Sequence, residues 1–74
     1  MEYKVRMRRF LLNRVEDISG VSGSGIVAQG VQFDNEFCAL TWLHELTSIA
    51  FYQNIEDLEK IHGHNGATKI LWID

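Results

Sequence analysis

Apolar and polar residues alternate along much of the chain, which is the pattern of strands with one buried face. Residues 3–13 begin in this way, because Tyr3, Val5 and Met7 alternate with basic residues. They predict the first strand. Three apolar residues in succession from Phe10 then break the alternation, and a bulge or burial on both faces would explain the break.

Two further strands are predicted at residues 26–33 and 37–43, separated by the turn-forming residues 34–36. The short connection predicts that they pair as an antiparallel hairpin. Gly30 inside the second strand indicates a bulge or a close approach of another backbone. Both faces of the strand at 37–43 are largely apolar, so we expect it to be central or to meet another subunit.

The spacing of apolar residues becomes helical after residue 52. Ile55, Leu58 and Ile61 form one apolar stripe. Asn54 precedes them and is a favourable N-cap residue, and Gly63 fits the C′ position that ends a helix. A helix of about eight residues is not stable alone, so we expect it to pack on the sheet.

Short strands at residues 49–52 and 67–73 flank this helix, which gives the order β-β-β-β-α-β. We therefore predict an α+β fold, with a small bent antiparallel sheet or partly open barrel of about five strands and one short helix. The 74 residues are expected to form a single domain, residues 1–74.

The composition of the chain bears on its cellular compartment, its relation to membranes and its oligomeric state. Cys38 is the one cysteine, so no disulfide forms within the chain and a cytoplasmic, reducing compartment is expected. No apolar run is long enough to span a membrane, so no membrane association is predicted. Small domains often gain stability by oligomerising, which predicts a homo-oligomer. Trp42 and Trp72 are the candidate interface residues, since aromatic side chains favour interfaces; core packing or stacking on a base are the alternatives.

Charge is distributed unevenly. The first 14 residues hold five of the seven basic residues and one acid, although the net charge of the chain is −3. A basic patch suits phosphate or nucleic acid. Because an acidic protein repels a polyanion, nucleic acid is disfavoured as a partner, and a charged strand face explains the pattern more simply. A compact anionic ligand remains compatible with this charge.

Residues 19–25 consist of serine and glycine apart from Val21. Glycine permits positive φ, so successive N–H groups can point inward and bind an anion; the alternative is a flexible hairpin loop. The run lacks the second glycine of a nucleophile elbow and the lysine of a phosphate-binding loop. It also resembles the dinucleotide fingerprint in letters, but a strand is predicted where that fingerprint needs a helix.

The second candidate site is the turn after the helix, which contains His62, His64 and Asn65. His62 suits the negative end of the helix dipole, and the turn residues can shape the turn or donate hydrogen bonds to a ligand. Metal binding with His44, Asp57 or Cys38 as a third ligand lacks a second ligand pair, so neither a metal nor a cofactor is predicted. No catalytic constellation is found, and we expect a non-catalytic protein.

These two segments are expected to form a ligand site with Arg14 for charge and Tyr52 for stacking. The predicted ligand-binding residues are Arg14, Ser19, Gly20, Ser22, Gly23, Ser24, Gly25, Tyr52, His62, His64 and Asn65.

Five segments also carry a resemblance to a set of small phage and prophage proteins: DISGVSGSG at 17–25, VAQGV at 27–31, ALTW at 39–42, Tyr52, and IEDLEKIHGH at 55–64. The resemblance implies a viral or mobile-element origin, and hence the host cytoplasm. It favours small phage binders, such as oligomeric proteins that sequester nucleotide immune signals and proteins that block a host enzyme. We therefore expect a homo-oligomer that sequesters a compact anionic ligand. The alternatives are a module that inhibits or adapts a host protein and, more weakly, a nucleic-acid binder.

Overall fold

The computed structural model describes residues 2–15 and 24–74, and of His64 the backbone only. It contains five strands in one antiparallel sheet and one α-helix. The elements are β1 (Arg8–Arg14), β2 (Gly25–Gln32), β3 (Cys38–Trp42), β4 (Ile49–Tyr52), α1 (Ile55–His62) and β5 (Thr68–Trp72). The sheet is open, with the strand order β4-β3-β2-β1-β5, and the predicted fold class and element order are confirmed.

The helix covers one side of the sheet, which we call the helix side. Its buried residues Ile55 and Leu58 meet a core supplied by β1, β2 and β3. Asn54 caps the helix as predicted, because its side-chain oxygen accepts a hydrogen bond from the Asp57 N–H at 2.8 Å. The core residues are Phe10, Leu12, Ala28, Cys38, Leu40, Ile55 and Leu58. No helix in the described part of the chain has the length and apolar character needed to span a bilayer.

Two details of the helix differ from the prediction. Ile61 lies within the helix but is 58% exposed, so only Ile55 and Leu58 of the predicted apolar stripe are buried. Gly63 caps the helix in a right-handed conformation, where a Cβ atom would lie 2.5 Å from the Glu59 carbonyl oxygen. The chain reverses one turn later, through positive φ angles at Asn65 and Gly66.

The first strand is shorter than its alternation indicates. Residues 2–7 are extended, but no described strand pairs with them, and β1 begins at Arg8. This arm is held by Asp34, whose carboxylate accepts hydrogen bonds from the Arg6 N–H at 2.7 Å and from the Tyr3 hydroxyl. The prediction of strand structure from residue 3 was therefore wrong, because alternation does not specify a hydrogen-bonding partner.

The close approach predicted at Gly30 is present, but the bulge suggested for the first strand at residues 9–12 is not, because β1 pairs with β2 in continuous register from Arg8 to Leu12. The β1–β2 register shifts between Leu12 and Asn13, and Val27 is the extra residue on β2. Gly30 pairs with both Phe10 and Leu40. A Cβ atom at residue 30 would lie 2.5 Å from the Ala39 carbonyl oxygen, so glycine is required there for space.

Candidate functional site

The end of α1 and two strands bring three aromatic side chains together on the helix side of the sheet. Tyr52 pairs with Cys38 across β3 and β4, and Trp42 pairs with Ala28 across β2 and β3, so both rings lie on the side of the buried core. His62, the last residue of α1, reaches between them. We call Trp42, Tyr52 and His62 the aromatic cluster.

The cluster has a short hydrogen bond and two edge contacts. Tyr52 Oη lies 2.6 Å from His62 Nε2. The His62 ring lies 5.0 Å from the Trp42 ring and 5.7 Å from the Tyr52 ring, centroid to centroid, with steep interplanar angles. All three side chains are half-buried. Such edge contacts and hydrogen bonds hold the rings in defined orientations.

Burial raises the pKa of the Tyr52 hydroxyl, and the nearby Cys38 raises it further. The hydroxyl is therefore protonated at neutral pH. It donates to His62 Nε2 when that nitrogen carries no proton, and it accepts when the imidazole is protonated. The Tyr52–His62 pair can thus pass a proton in either direction.

Arg14 supplies a positive charge near Trp42, since the two residues line one cleft. It is the last residue of β1 and is only 7% exposed. Its Nε donates a hydrogen bond to Thr68 Oγ1 at 3.3 Å, across the pairing of β1 with β5. Arg14 also lines a cleft of about 380 Å³ together with Ser24 and Trp42. No acidic side chain among the described residues lines this cleft.

The cleft lies where the serine-glycine segment joins the sheet. The described residues end at Val15, whose N–H donates to the Ala67 carbonyl at 2.8 Å, and resume at Ser24 in the wall of the cleft. The first of these contacts places Val15 beside Ala67, which follows the turn after α1. Whether the segment and this turn meet falls outside the described residues, which include only Ser24 and Gly25 of the segment.

The predicted ligand-binding residues are distributed as follows. Arg14 and Ser24 share the cleft with Trp42, and Trp42 also contacts His62, which bonds Tyr52. Gly25 follows Ser24 with a φ of 94°, which favours glycine although nothing crowds its Cβ position. Ser19, Gly20, Ser22 and Gly23 lie outside the described residues, as does the side chain of His64.

Asn65 lies in a different place. It lines a broad groove between α1 and β5, together with Lys60 and Lys69, and it does not line the cleft of Arg14 and Trp42. The sequence placed it in the ligand site because it is adjacent to His64. Of the predicted residues that the structure describes, Arg14, Ser24 and Trp42 share the cleft and Asn65 does not join them.

The two tryptophans predicted at an interface both lie on the helix side. Trp42 belongs to the aromatic cluster. Trp72 packs edge-on against Phe10, with ring centroids 5.5 Å apart, and the Arg8 guanidinium lies 3.8 Å from the centre of its ring. Both rings thus have partners within the chain, and that an interface uses them remains a prediction.

Sequence reasoning missed Thr68, which is buried and fixes Arg14. Nothing local marks it, because 54 residues separate the two positions and only the β1–β5 pairing joins them. Cys38 is buried, and burial raises the pKa of its thiol, so it is poorly suited to act as a nucleophile. Among the described side chains, no group of three His, Cys, Asp or Glu residues is placed to bind a metal ion.

Comparison with known proteins gives one result. No curated protein and no solved structure matches the chain. The family described as "Acb5 phage protein" matches residues 7–74, which confirms the resemblance to small phage proteins. Because the match spans nearly the whole sequence, the chain belongs to the Acb5 phage protein family.

Proposed function

We propose that the protein binds a nucleotide signal of host defence in the host cytoplasm and so protects the phage. The family places the chain among phage proteins. The observation that carries the proposal is that Arg14, Ser24 and Trp42 line one cleft. A cation can bind a phosphate, a hydroxyl can form a hydrogen bond with a ribose, and an aromatic ring can stack on a base.

Arg14 suits a phosphate. A guanidinium presents donors in a rigid fork that matches phosphate oxygens. Burial and the bond to Thr68 fix its position before the ligand arrives, which reduces the entropy lost on binding. No described acid lines the cleft to compete for it. The acidic balance of the whole chain, −3, opposes a long polyanion more than a compact one.

Trp42 suits a base. Stacking of a base on an aromatic side chain contributes about 1–3 kcal/mol and tolerates any base. The cleft volume of about 380 Å³ is near the lower end of ligand pockets, which are about 300–1,000 Å³. It therefore accommodates one nucleotide unit, and a larger signal would extend along the aromatic cluster or beyond the cleft.

Isothermal titration against cyclic mononucleotides, cyclic dinucleotides and ADP-ribose derivatives tests the binding. Arg14→Gln should weaken binding by about 10- to 100-fold, as expected for a lost hydrogen bond to a charged group. Ser24→Ala should weaken it less, and because Ser24 is exposed this variant should keep its fold. Arg8→Gln is the matched control, since it removes an exposed arginine outside the cleft. Absence of heat with every member of the panel would overturn the proposal.

A second candidate is that the protein cleaves the ligand. The 2.6 Å bond between Tyr52 and His62 favours it, because such pairs act as general acids and bases. In hydrolysis of a phosphodiester, water adds its oxygen to phosphorus and the P–O bond to the ribose breaks. Tyr52, protonated at neutral pH, would give its proton to the leaving ribose oxygen. His62 would return a proton to Tyr52 and receive one from the water.

Chromatography of the nucleotide after incubation and denaturation of the protein separates the two candidates. Sequestration returns the nucleotide intact, whereas cleavage yields a phosphomonoester. Tyr52→Phe should abolish any cleavage while binding persists, because the ring remains and only the hydroxyl is lost. If Tyr52→Phe cleaves as fast as the natural protein, the pair is not the catalyst.

A further inference from the structure

On the side of the sheet opposite α1, the described residues leave a largely apolar surface exposed, interrupted by the polar residues Asn13, Gln29 and Thr41. Successive residues of a strand alternate between the two sides, so the strand register shows which residues share this surface. We call it the open face. Its apolar residues are Leu11, Ile26, Val31, Ala39, Ile49, Phe51, Leu71 and Ile73, and Phe33 and Phe37 extend it at the β2–β3 turn.

The described part of the chain offers little to cover this surface. Its one described α-helix lies on the other side of the sheet. Phe51 and Ile49, both on the edge strand β4, are 74% and 65% exposed.

The exposed area approaches that of a dimer interface. Seven large apolar residues of the open face are 40% to 74% exposed, which at roughly 200 Å² per side chain amounts to about 700 Å². Monomers rarely carry contiguous apolar patches above about 600 Å². Specific interfaces bury about 800 Å² per partner. The open face is therefore large enough for an interface with one partner.

Charge indicates how a second copy would fit. The charged residues of the open face within the described chain are Arg9 and Lys69, both on the β1–β5 half of the sheet. Asp74 neutralises Arg9 through an ion pair at 2.7 Å. A twofold axis parallel to the strands lays β4 of one copy over β5 of the other and β3 over β1, so Arg9 lies opposite Ala39 and the cations of the two copies are in different halves of the interface. An axis across the strands would lay β5 over β5 and β1 over β1, which gathers the cations of both copies in one half of the interface.

We propose that two copies pack their open faces together as a sandwich with its twofold axis parallel to the strands. Aligned sheets pack in this way about 10 Å apart. In this arrangement Ile49 of one copy faces Leu71 of the other, because these two residues occupy the same row across the sheet. Arg14 and Trp42, which line the cleft of each copy, belong to the outer, helix side of the sandwich, and Ile26 is the open-face residue that borders it.

Sedimentation and light scattering of the full chain test the dimer. The natural protein should have twice the chain mass of 8.5 kDa at micromolar concentration. Ile49→Asp and Leu71→Lys should each be monomeric, since each places a charge opposite an apolar residue of the other copy at both edges of the interface. Both positions are exposed, so circular dichroism should show an intact fold. Ile61→Asp, an equally exposed apolar position on the helix, should remain dimeric.

Mixing the monomeric Ile49→Asp and Leu71→Lys variants tests the axis. When one copy of each variant pairs, the carboxylate introduced at residue 49 meets the ammonium introduced at residue 71 and forms an ion pair. The other Ile49–Leu71 contact is unchanged. A mixed dimer should therefore appear. An axis across the strands would give no such pairing. A monomeric natural protein would overturn the proposal and would leave the open face to a host protein. A dimer that Ile49→Asp does not disrupt would also overturn it. So would the absence of a mixed dimer.

The result does not depend on the proposed ligand. Ile26 of the open face also lines the cleft, but Ile49 and Leu71 do not, so monomeric Ile49→Asp should bind nucleotide as the natural protein does. Failure of ligand binding leaves the dimer test unchanged, and failure of the dimer test leaves the titration unchanged.

Discussion

The ring of Phe10 lies against the backbone of Gly30, in the space that a side chain at residue 30 would occupy. A Cβ atom there would stand 2.8 Å from Phe10 Cε2 and 2.5 Å from the Ala39 carbonyl oxygen. Phe10 is fully buried and is the largest side chain of the core. The strand β2 is therefore thinned at one position so that β1 can place a phenyl ring over it.

Gly30→Ala should lower the free energy of unfolding by about 2 kcal/mol or more, because overpacking a tight core forces side chains and backbone to move. Denaturation with urea measures the change. Phe10→Leu replaces the ring by a smaller side chain. In the double variant it should therefore reduce the loss of stability that Gly30→Ala causes, although the clash with the Ala39 carbonyl remains. If Gly30→Ala lowers the free energy of unfolding equally in the natural protein and in the Phe10→Leu variant, the contact between Phe10 and residue 30 is not the cause.

Thr68→Val should destabilise the fold by about 1–3 kcal/mol, because Arg14 Nε would lose its hydrogen bond in a buried position. The variant should also weaken binding of any phosphate ligand, since the guanidinium is no longer fixed. Thr68→Ser keeps the hydroxyl and is the control, which should retain both properties. A Thr68→Val protein as stable as the natural one would show that the bond contributes little.

Asn54→Ala should cost about 1 kcal/mol of stability, the usual value for a lost N-cap. The helix is only eight residues long and Leu58 enters the core from it, so the loss affects the whole fold. Thermal unfolding followed by circular dichroism measures it. Gln53→Ala changes the exposed residue before the cap and should leave the melting temperature nearly unchanged.

Asp74 should titrate well below the usual range of an aspartate, because the Arg9 side chain and backbone N–H donate hydrogen bonds that lower the pKa of its carboxyl. A carboxylate whose folded pKa is depressed stabilises the fold above its unfolded pKa of about 3.9. The contribution is lost as the pH falls through the folded pKa. Carbon NMR of the Asp74 carboxyl measures this, and Arg9→Gln should raise its pKa toward the ordinary value.

Local patterns predicted the strands of the sheet and the helix well. The alternation of Cys38, Leu40 and Trp42 placed these residues on one face of a strand, which the structure shows to be the core side, and Asn54 marked the start of the helix. These features depend on residues close in sequence, where the period of the apolar residues and the capping chemistry determine the structure. The same patterns overestimated the length of the first strand. The alternation at Tyr3 and Val5 does not show whether another strand is available to pair with these residues.

The candidate site was predicted only in part, because it depends on contacts between distant segments. Arg14, Tyr52 and His62 carried recognisable chemistry in the sequence. Their grouping around Trp42 follows from the strand order, which no local pattern contains. The open face was similarly hidden: apolar residues on both sides of a strand are compatible with a buried centre as well as with a subunit interface.

The position of β1 between β2 and β5 has a consequence for how the molecule assembles. β2, β3 and β4 pair with neighbours in chain order, but β1 obtains one of its two pairings from β5, which is the last strand along the chain. Pairings between such distant segments are slow, because the loop between them must close first. During synthesis, β1 therefore emerges first and remains half-paired until β5 has left the ribosome.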